Sequence, residues 1–337
     1  MKVLIIRFSS IGDIVLTTPV VRCLKQQANT AQVHYLTKAS FRTIIENNPY
    51  IDKAHYLEDD WDGLMETLRL ERFDYIIDLH RNLRTLRVKR ALKVKSWSFD
   101  KLNIRKWLLT TLKINLLPPV HIVDRYMDTV KALGVRSDGK GLDYFIPDKD
   151  KVADRDIPLS HTFGYIGVVI GAALATKKLP VEKLKELCAA IEHPIILLGG
   201  PEDKTEGDLI AAVDPVKIYN ACGKFSLNES ADLVRKAKLI ISHDTGLMHI
   251  AAAFRKPILS VWGNTVPAFG MTPYYGGTGT AGAGSAAPAA PFTQAFGVPH
   301  LGCRPCSKIG YDKCPKGHFK CMQEQDLGAI VQAIRTK

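Results

Sequence analysis

A carboxylate sits early in this chain, in a turn of the kind that more often holds phosphate. The stretch "IRFSSIGDIVLTTPVV" runs from branched apolar residues through a tight turn into an apolar-periodic segment. The turn holds one glycine, Gly12, followed by Asp13. Strand-to-helix turns present backbone N–H groups and the positive end of a helix dipole, which attract anions. Asp13 would repel them. Taken alone, the turn reads Asp13 as a helix N-cap.

Three stretches of the second half offer the complementary chemistry. In "AKLIISHDTGLMHIAAAF" an apolar run ends in His243, Asp244, Thr245 and Gly246, and a small-residue helix follows with His249 in its first turn. The N–H groups at that helix start suit a diphosphate. Asp244 could accept hydrogen bonds from sugar hydroxyls, or Asp244 or Thr245 could simply cap the helix. "GAALATKKLP" offers Thr176, Lys177 and Lys178, where a lysine either neutralises a departing phosphate or is one of a solvated pair. In "LLGGPEDK", Gly199 and Gly200 allow close backbone approach. Glu202 there either holds a sugar or ribose hydroxyl or lends its charge to a helix start.

Two further clusters are chemically distinctive. Between Arg81 and Lys113 there are eleven lysines or arginines and one acid, Asp100. "HRNLRTLRVKRALKVK" reads as a solvated helix face, with His80, Arg81, Asn82 and Arg84 able to bind carboxylates or phosphates. "KLNIRKWLLTTLKINLLP" reads either as an amphipathic helix on a membrane surface or as a core-packed helix with a basic outer face. Near the end, Cys303, Cys306, Cys314 and Cys321 have one chelate-like spacing but lack the paired pattern of a zinc ribbon, and His318 lies among them. A structural metal and reduced thiols are both compatible with that pattern. Cys23, Cys188 and Cys222 are isolated and read as small buried apolar residues.

The elements that must position these residues alternate in type. Strands are expected at 3–7, 32–36 and 75–79, and helices at 19–27, 41–47, 64–70 and 123–133. Pro19 implies that the first helix kinks, or starts late with Thr18 as its cap. After "PDKDKVADRDIPLSHTFG", read as a linker, strands are expected at 165–170, 195–198, 217–220, 239–242 and 257–262. Helices are expected at 181–191, 227–237 and 247–253. This rhythm predicts an α/β chain of two Rossmann-like doubly wound parallel-sheet domains, 1–155 and 160–337, with a cleft between them. The Gly/Ala/Ser/Pro run 276–291 reads as a flexible loop.

Bulk properties agree with this reading. At 337 residues, 46% hydrophobic and 24% charged, the chain is a globular protein of two domains rather than one. It shows no membrane-spanning run and no secretory leader, so the cytoplasm is the expected location. The net charge of +12 calls for an anionic partner. A nucleic acid is disfavoured, since the basic tract 81–95 lacks stacking aromatics. No GxGxxG follows either opening strand, which argues against a dehydrogenase.

Taken together and in order, these motifs resemble glycosyltransferase family 9, the ADP-heptose:lipopolysaccharide heptosyltransferases. The likeness rests on "IRFSSIGDIVLTTPVV", "IDLHRNLRT", "TKKLP", "LLGGPED", the stretch from "NACGKFSLNES" through "SHDTGLMHIAAAFRKPILSVWGNTVP", and "CRPCSKIGYDKCPKGHFKC". The run 276–291 is a departure from the motifs that carry this resemblance. The resemblance implies a GT-B fold and an inverting transfer that needs no metal and no cofactor beyond the nucleotide-sugar donor, ADP-heptose. It makes Asp13 the catalytic base. It places Thr176, Lys177, Glu202, Asp244, Thr245, Gly246 and His249 on the donor side, held by the C-terminal domain. Ser10, Gly12, His80, Arg81, Asn82 and Arg84 fall on the acceptor side. The implied acceptor is the anionic lipopolysaccharide inner core, which sets the expected location at the cytoplasmic face of the inner membrane. Another nucleotide-sugar enzyme of the same fold, with a different donor or an epimerase activity, is the alternative.

Overall fold

The computed structural model describes residues 1–28, 30–276 and 289–336. They form two compact units, each built on its own parallel sheet. The first unit takes residues 1–101, 120–145 and the described part of 274–290. The second takes 102–119, 146–273 and 291–337. The chain therefore crosses between units more often than a single cut at 155–160 implies.

Along the first half the elements are β1 (Lys2–Ile6), α1 (Ile11–Val15), α2 (Thr18–Gln27), β2 (Gln32–Lys38), α3 (Arg42–Ile45) and β3 (Lys53–Leu57). They continue with α4 (Trp61–Leu70), β4 (Tyr75–Asp78), α5 (Leu83–Leu92), β5 (Lys95–Ser98), α6 (Asn103–Trp107) and α7 (Ile122–Met127). The sheet order is β3-β2-β1-β4-β5, all parallel. β1 is buried on both faces, which is why "VLII" is an unbroken apolar run rather than an alternating one. Leu4, Ile6, Leu36, Leu68, Ile76 and Val88 form the core beneath it.

The helix expected from Pro19 onward does start late. α1 ends at Val15, Thr17 occupies the cap position, and Pro19 sits in the first turn of α2, where its missing N–H costs nothing. Within α2, Arg22 is only 2% exposed. It reaches the Asp138 carboxylate at 2.8 and 2.9 Å, the Gly141 carbonyl at 2.8 Å, and Asp143. This buried fork ties the 120–145 segment to the first unit.

The second half carries α8 (Leu159–Thr162), β6 (Ile166–Val169), α9 (Val181–Ala190), β7 (Ile195–Leu198), α10 (Lys204–Ala211), β8 (Ile218–Asn220) and α11 (Leu227–Lys236). After these come β9 (Leu239–His243), α12 (Gly246–Ala253), β10 (Ile258–Val261), β11 (Thr293–Phe296), α13 (Lys320–Gln323) and α14 (Leu327–Arg335). Their sheet order is β11-β10-β9-β6-β7-β8, again parallel throughout. Cys188, Cys222, Ile241 and Leu259 lie in its core, and Cys23 is equally buried in the first unit.

The segment expected to be a linker is instead packed. Asp232 on α11 is fully buried and needs donors. The Val152 N–H supplies one at 3.0 Å, and Arg235 supplies two more at 2.8 and 2.6 Å. Lys236 closes the same contact by donating to the Val152 carbonyl at 2.6 Å. The expected flexible loop is almost wholly made of residues 277–288, which lie outside the described residues.

In both sheets the strand order reverses between two neighbours, β1 and β4 in the first and β9 and β6 in the second. Ligands of doubly wound sheets bind beyond the carboxyl ends of the strands at such a reversal. Ile241 of β9, 2% exposed, supports one of these points from below. Ile241→Ala should cost about 3 kcal/mol in urea denaturation; a loss under about 1 kcal/mol would mean that the site collapses around the change.

Candidate active site

The β1 turn and the β4 turn flank the reversal of the first sheet, and together they hold every acceptor-side residue read from the sequence. Ser10 is the cap residue of α1, and Asp13 is the third residue of its first turn. Asp13 is therefore not the N-cap. Its Oδ2 accepts from the Ser10 N–H at 3.3 Å and the Ser10 hydroxyl at 3.0 Å, and it pairs with Arg7 Nη2 at 2.7 Å. All three contacts fall on one oxygen, which leaves Oδ1 without a partner among the described residues. Gly12 beside it is buried.

Arg7 is fixed in turn by the Leu79 carbonyl at 2.6 Å, the Tyr126 hydroxyl at 3.1 Å and the Ser9 carbonyl at 2.7 Å. Burial alone would raise the Asp13 carboxyl. The Arg7 guanidinium and the bonds from Ser10 outweigh it and hold Asp13 below the usual carboxylate range. The group is ionised at neutral pH.

Across the reversal, Asp78 ends β4 with no exposed surface. Its Oδ1 accepts from the His80 N–H at 3.1 Å and the Arg81 N–H at 2.6 Å, which folds the turn. Its Oδ2 takes Lys89 at 2.9 Å and the Ser98 hydroxyl at 3.2 Å. The His80 ring stands edge-on to Phe8 at 5.3 Å. Burial, Arg7 and Lys101 push that imidazole down to about 4, so His80 is neutral at physiological pH. Its buried Nδ1 has no hydrogen-bond partner among the described residues. The Asn82 side chain caps α5 by accepting from the Thr85 N–H at 2.9 Å. Arg81 donates to the Phe99 carbonyl at 3.1 Å, and Arg84 is exposed on the first turn of α5.

At the reversal of the second sheet, Lys177 and Asp244 meet. Lys177 Nζ lies 2.7 Å from Asp244 Oδ2, and the Thr265 hydroxyl donates to the same oxygen at 3.1 Å. Thr245 occupies the cap position of α12, yet no side chain caps that helix. Gly246 opens it, and His249 is buried on its first turn. The helix start thus keeps its anion-attracting character.

The other lysine of "TKKLP" is spent. Lys178 pairs with Asp203 at 2.7 Å and Glu206 at 2.8 Å. Thr176 is likewise committed: its hydroxyl donates to the Tyr311 carbonyl at 3.0 Å and accepts from the Tyr311 N–H at 2.7 Å. Both bonds tie the Thr176 hydroxyl to the cysteine loop. Glu202 is exposed in the turn after β7. Gly199 in that turn is required, because a Cβ there would stand 2.8 Å from an Asp203 carboxylate oxygen.

Arg7, Asp78 and Asn264 were not singled out from sequence. Asn264, 1% exposed and next to Thr265, has no hydrogen-bond partner for its amide among the described residues. The single visible signal was an acid closing a strand just before "HRN". The four clustered cysteines are free thiols, with Cys303 Sγ 3.7 Å from His318 Nε2. The three side chains that could share a metal, among the described residues, are instead His34, His55 and Glu71. Glu71 already binds Lys2 and Lys53, whose charges oppose a cation there.

The sequence pattern that defines glycosyltransferase family 9 (heptosyltransferase) matches residues 61–306. The chain belongs to glycosyltransferase family 9. A lipopolysaccharide heptosyltransferase 1 from Campylobacter coli is 25% identical over 289 residues, 79% of this chain and 84% of that protein. A family 9 glycosyl transferase from Veillonella parvula superposes with a TM-score of 0.72 at 20% identity, over 99% of this chain and 96% of that one. An Escherichia coli heptosyltransferase with ADP-2-deoxy-2-fluoro heptose gives 0.67 at 19% identity, over 100% and 99%. The two parallel-sheet units are thus the GT-B fold expected from the motifs. No helix is long and apolar enough to cross a membrane among the described residues.

The buried histidines of this family 9 glycosyltransferase set its acid stability. His55, His80 and His243 all fall from 6.5 to about 4, chiefly through burial. The unfolded chain therefore binds more protons than the native one between pH 6.5 and about 4. Stability should drop as pH falls through that window, with a slope above about 1.4 kcal/mol per unit near pH 5. Urea midpoints measured across the window test this, and a flat response would contradict it.

Proposed function

We propose that this glycosyltransferase moves a heptose from ADP-heptose to the inner core of lipopolysaccharide, inverting the anomeric carbon without a catalytic metal. The observation that supports the reading is an ion pair at the reversal of each sheet, Arg7–Asp13 in the first unit and Lys177–Asp244 in the second. The first presents an ionised carboxylate with one unengaged oxygen, Asp13 Oδ1. The second presents a lysine beside an uncapped helix start.

In the proposed step an acceptor hydroxyl attacks the anomeric carbon as its bond to the diphosphate oxygen breaks. The hydroxyl proton passes to Asp13 Oδ1, and ADP leaves with the bonding pair. Charge growing on the departing phosphate is met by Lys177 and the N–H groups of Gly246 and its neighbours. Lys177 exchanges its Asp244 partner for that phosphate, which frees Asp244 to accept from hydroxyls of the sugar. Glu202 would hold a ribose or sugar hydroxyl in this reading. Neutral His80, with Arg81, Asn82 and Arg84, would receive the acceptor, whose carboxylates and phosphates suit arginine. Because the acceptor is lipid-linked, the enzyme would act at the cytoplasmic face of a membrane. The positive charge of Lys177 and the helix start supports a step without a metal.

Asp13→Asn should lower transfer by about a thousandfold while ADP-heptose binding, measured by calorimetry, stays within a few-fold of wild type. Preserved turnover would remove Asp13 from the chemistry. Lys177→Ala should weaken donor affinity or turnover by about a hundredfold; unchanged values of both would place the phosphate elsewhere.

A further inference from the structure

We propose that residues 103–116 are a docking surface for an anionic lipid bilayer. α6 and the π-helical turn Leu108–Leu112 that continues it hold few of their apolar side chains inside. Leu109 is buried, whereas Ile104 is 77% exposed, Trp107 52%, Leu112 52%, Ile114 48% and Leu116 55%. Ile104 and Trp107 are one turn apart and share a helix face. Single exposed apolar residues are ordinary, but five in one short segment make a patch that requires a partner.

The segment is held in place rather than frayed. Lys113 donates to the carbonyls of Thr110 at 2.8 Å, Cys303 at 3.0 Å and Pro305 at 2.7 Å, which pins it to the cysteine loop of the same unit.

Charge decides between occupants. Residues 102–119 contain Arg105, Lys106 and Lys113 and no carboxylate. A second copy of the chain would bring a net charge of +12 and the same cations against this face. A layer of anionic headgroups neutralises those cations and accepts the apolar side chains at its acyl boundary, with tryptophan at the depth it prefers. The lipid-linked acceptor proposed above gives such a surface a purpose, but the exposed residues and their charge stand without it.

The test uses the whole protein and vesicles of phosphatidylethanolamine with phosphatidylglycerol, against vesicles of phosphatidylcholine alone, none carrying sugar. Co-sedimentation should favour the anionic vesicles and weaken with added salt, and tryptophan emission should shift to the blue. The Ile104→Ser/Trp107→Ser double variant should lose about tenfold in partitioning with an unchanged circular dichroism spectrum. Arg105→Glu/Lys106→Glu should lose the preference for phosphatidylglycerol. Wild-type protein that ignores both vesicles, or binds both equally and keeps its affinity in the first variant, overturns the proposal. So does a wild-type dimer in sedimentation that this variant dissolves. Transfer to a water-soluble acceptor fragment is read separately: its failure in wild type would refute the heptosyl transfer and leave the vesicle result intact.

Discussion

The ion pair between Arg7 and Asp13 is the constraint around which the first unit is arranged. A carboxylate at a strand-to-helix turn drifts toward the neutral form when it is buried, and then it cannot take a proton. Arg7 prevents this from 2.7 Å away, and Ser10 assists from the cap position. Arg7 can do so only because Leu79, Ser9 and Tyr126 hold its guanidinium still. Leu79 directly follows β4, so the pair also couples the two turns that flank the reversal of the sheet. A base built this way is weak but always ready, which suits a step in which the hydroxyl becomes acidic only as it attacks.

The second unit solves the opposite problem with the same architecture. Its reversal gathers Lys177, Asp244 and Thr265, and it leaves the start of α12 without a side-chain cap. Each reversal thus carries an ion pair, Arg7–Asp13 in the first sheet and Lys177–Asp244 in the second. On the proposed reading, the carboxylate in "FSSIGD" takes the acceptor's proton, and phosphate is left to the second sheet.

Much of this was legible in the residues. The strands β1, β4, β7 and β9 are apolar runs closed by turn residues, and the motif turns sit at their carboxyl ends. β3, "KAHYL", and β5, "KSWS", escaped notice because they are edge strands mixing lysine, histidine and serine with apolar residues. They form because β2 and β4 offer unpaired ladders, which is information held by the sheet rather than by the segment. The two lysines of "TKKLP" were indistinguishable until the fold sent Lys178 to Asp203 and Lys177 to Asp244. The partner of Thr176 was equally hidden, because Tyr311 lies 135 residues away. Asp78 left one trace, an acid closing a strand just before "HRN", but that trace does not reveal that it folds the turn.

A single displacement with one carboxylate base is the central claim, and it leaves a mark on the product. Proton NMR of the disaccharide formed from ADP-heptose of known anomeric configuration reads that mark directly. The predicted product carries the inverted configuration at the transferred carbon. A retained configuration would require a double displacement or a same-face attack and would contradict Asp13 as the base of a one-step inverting transfer.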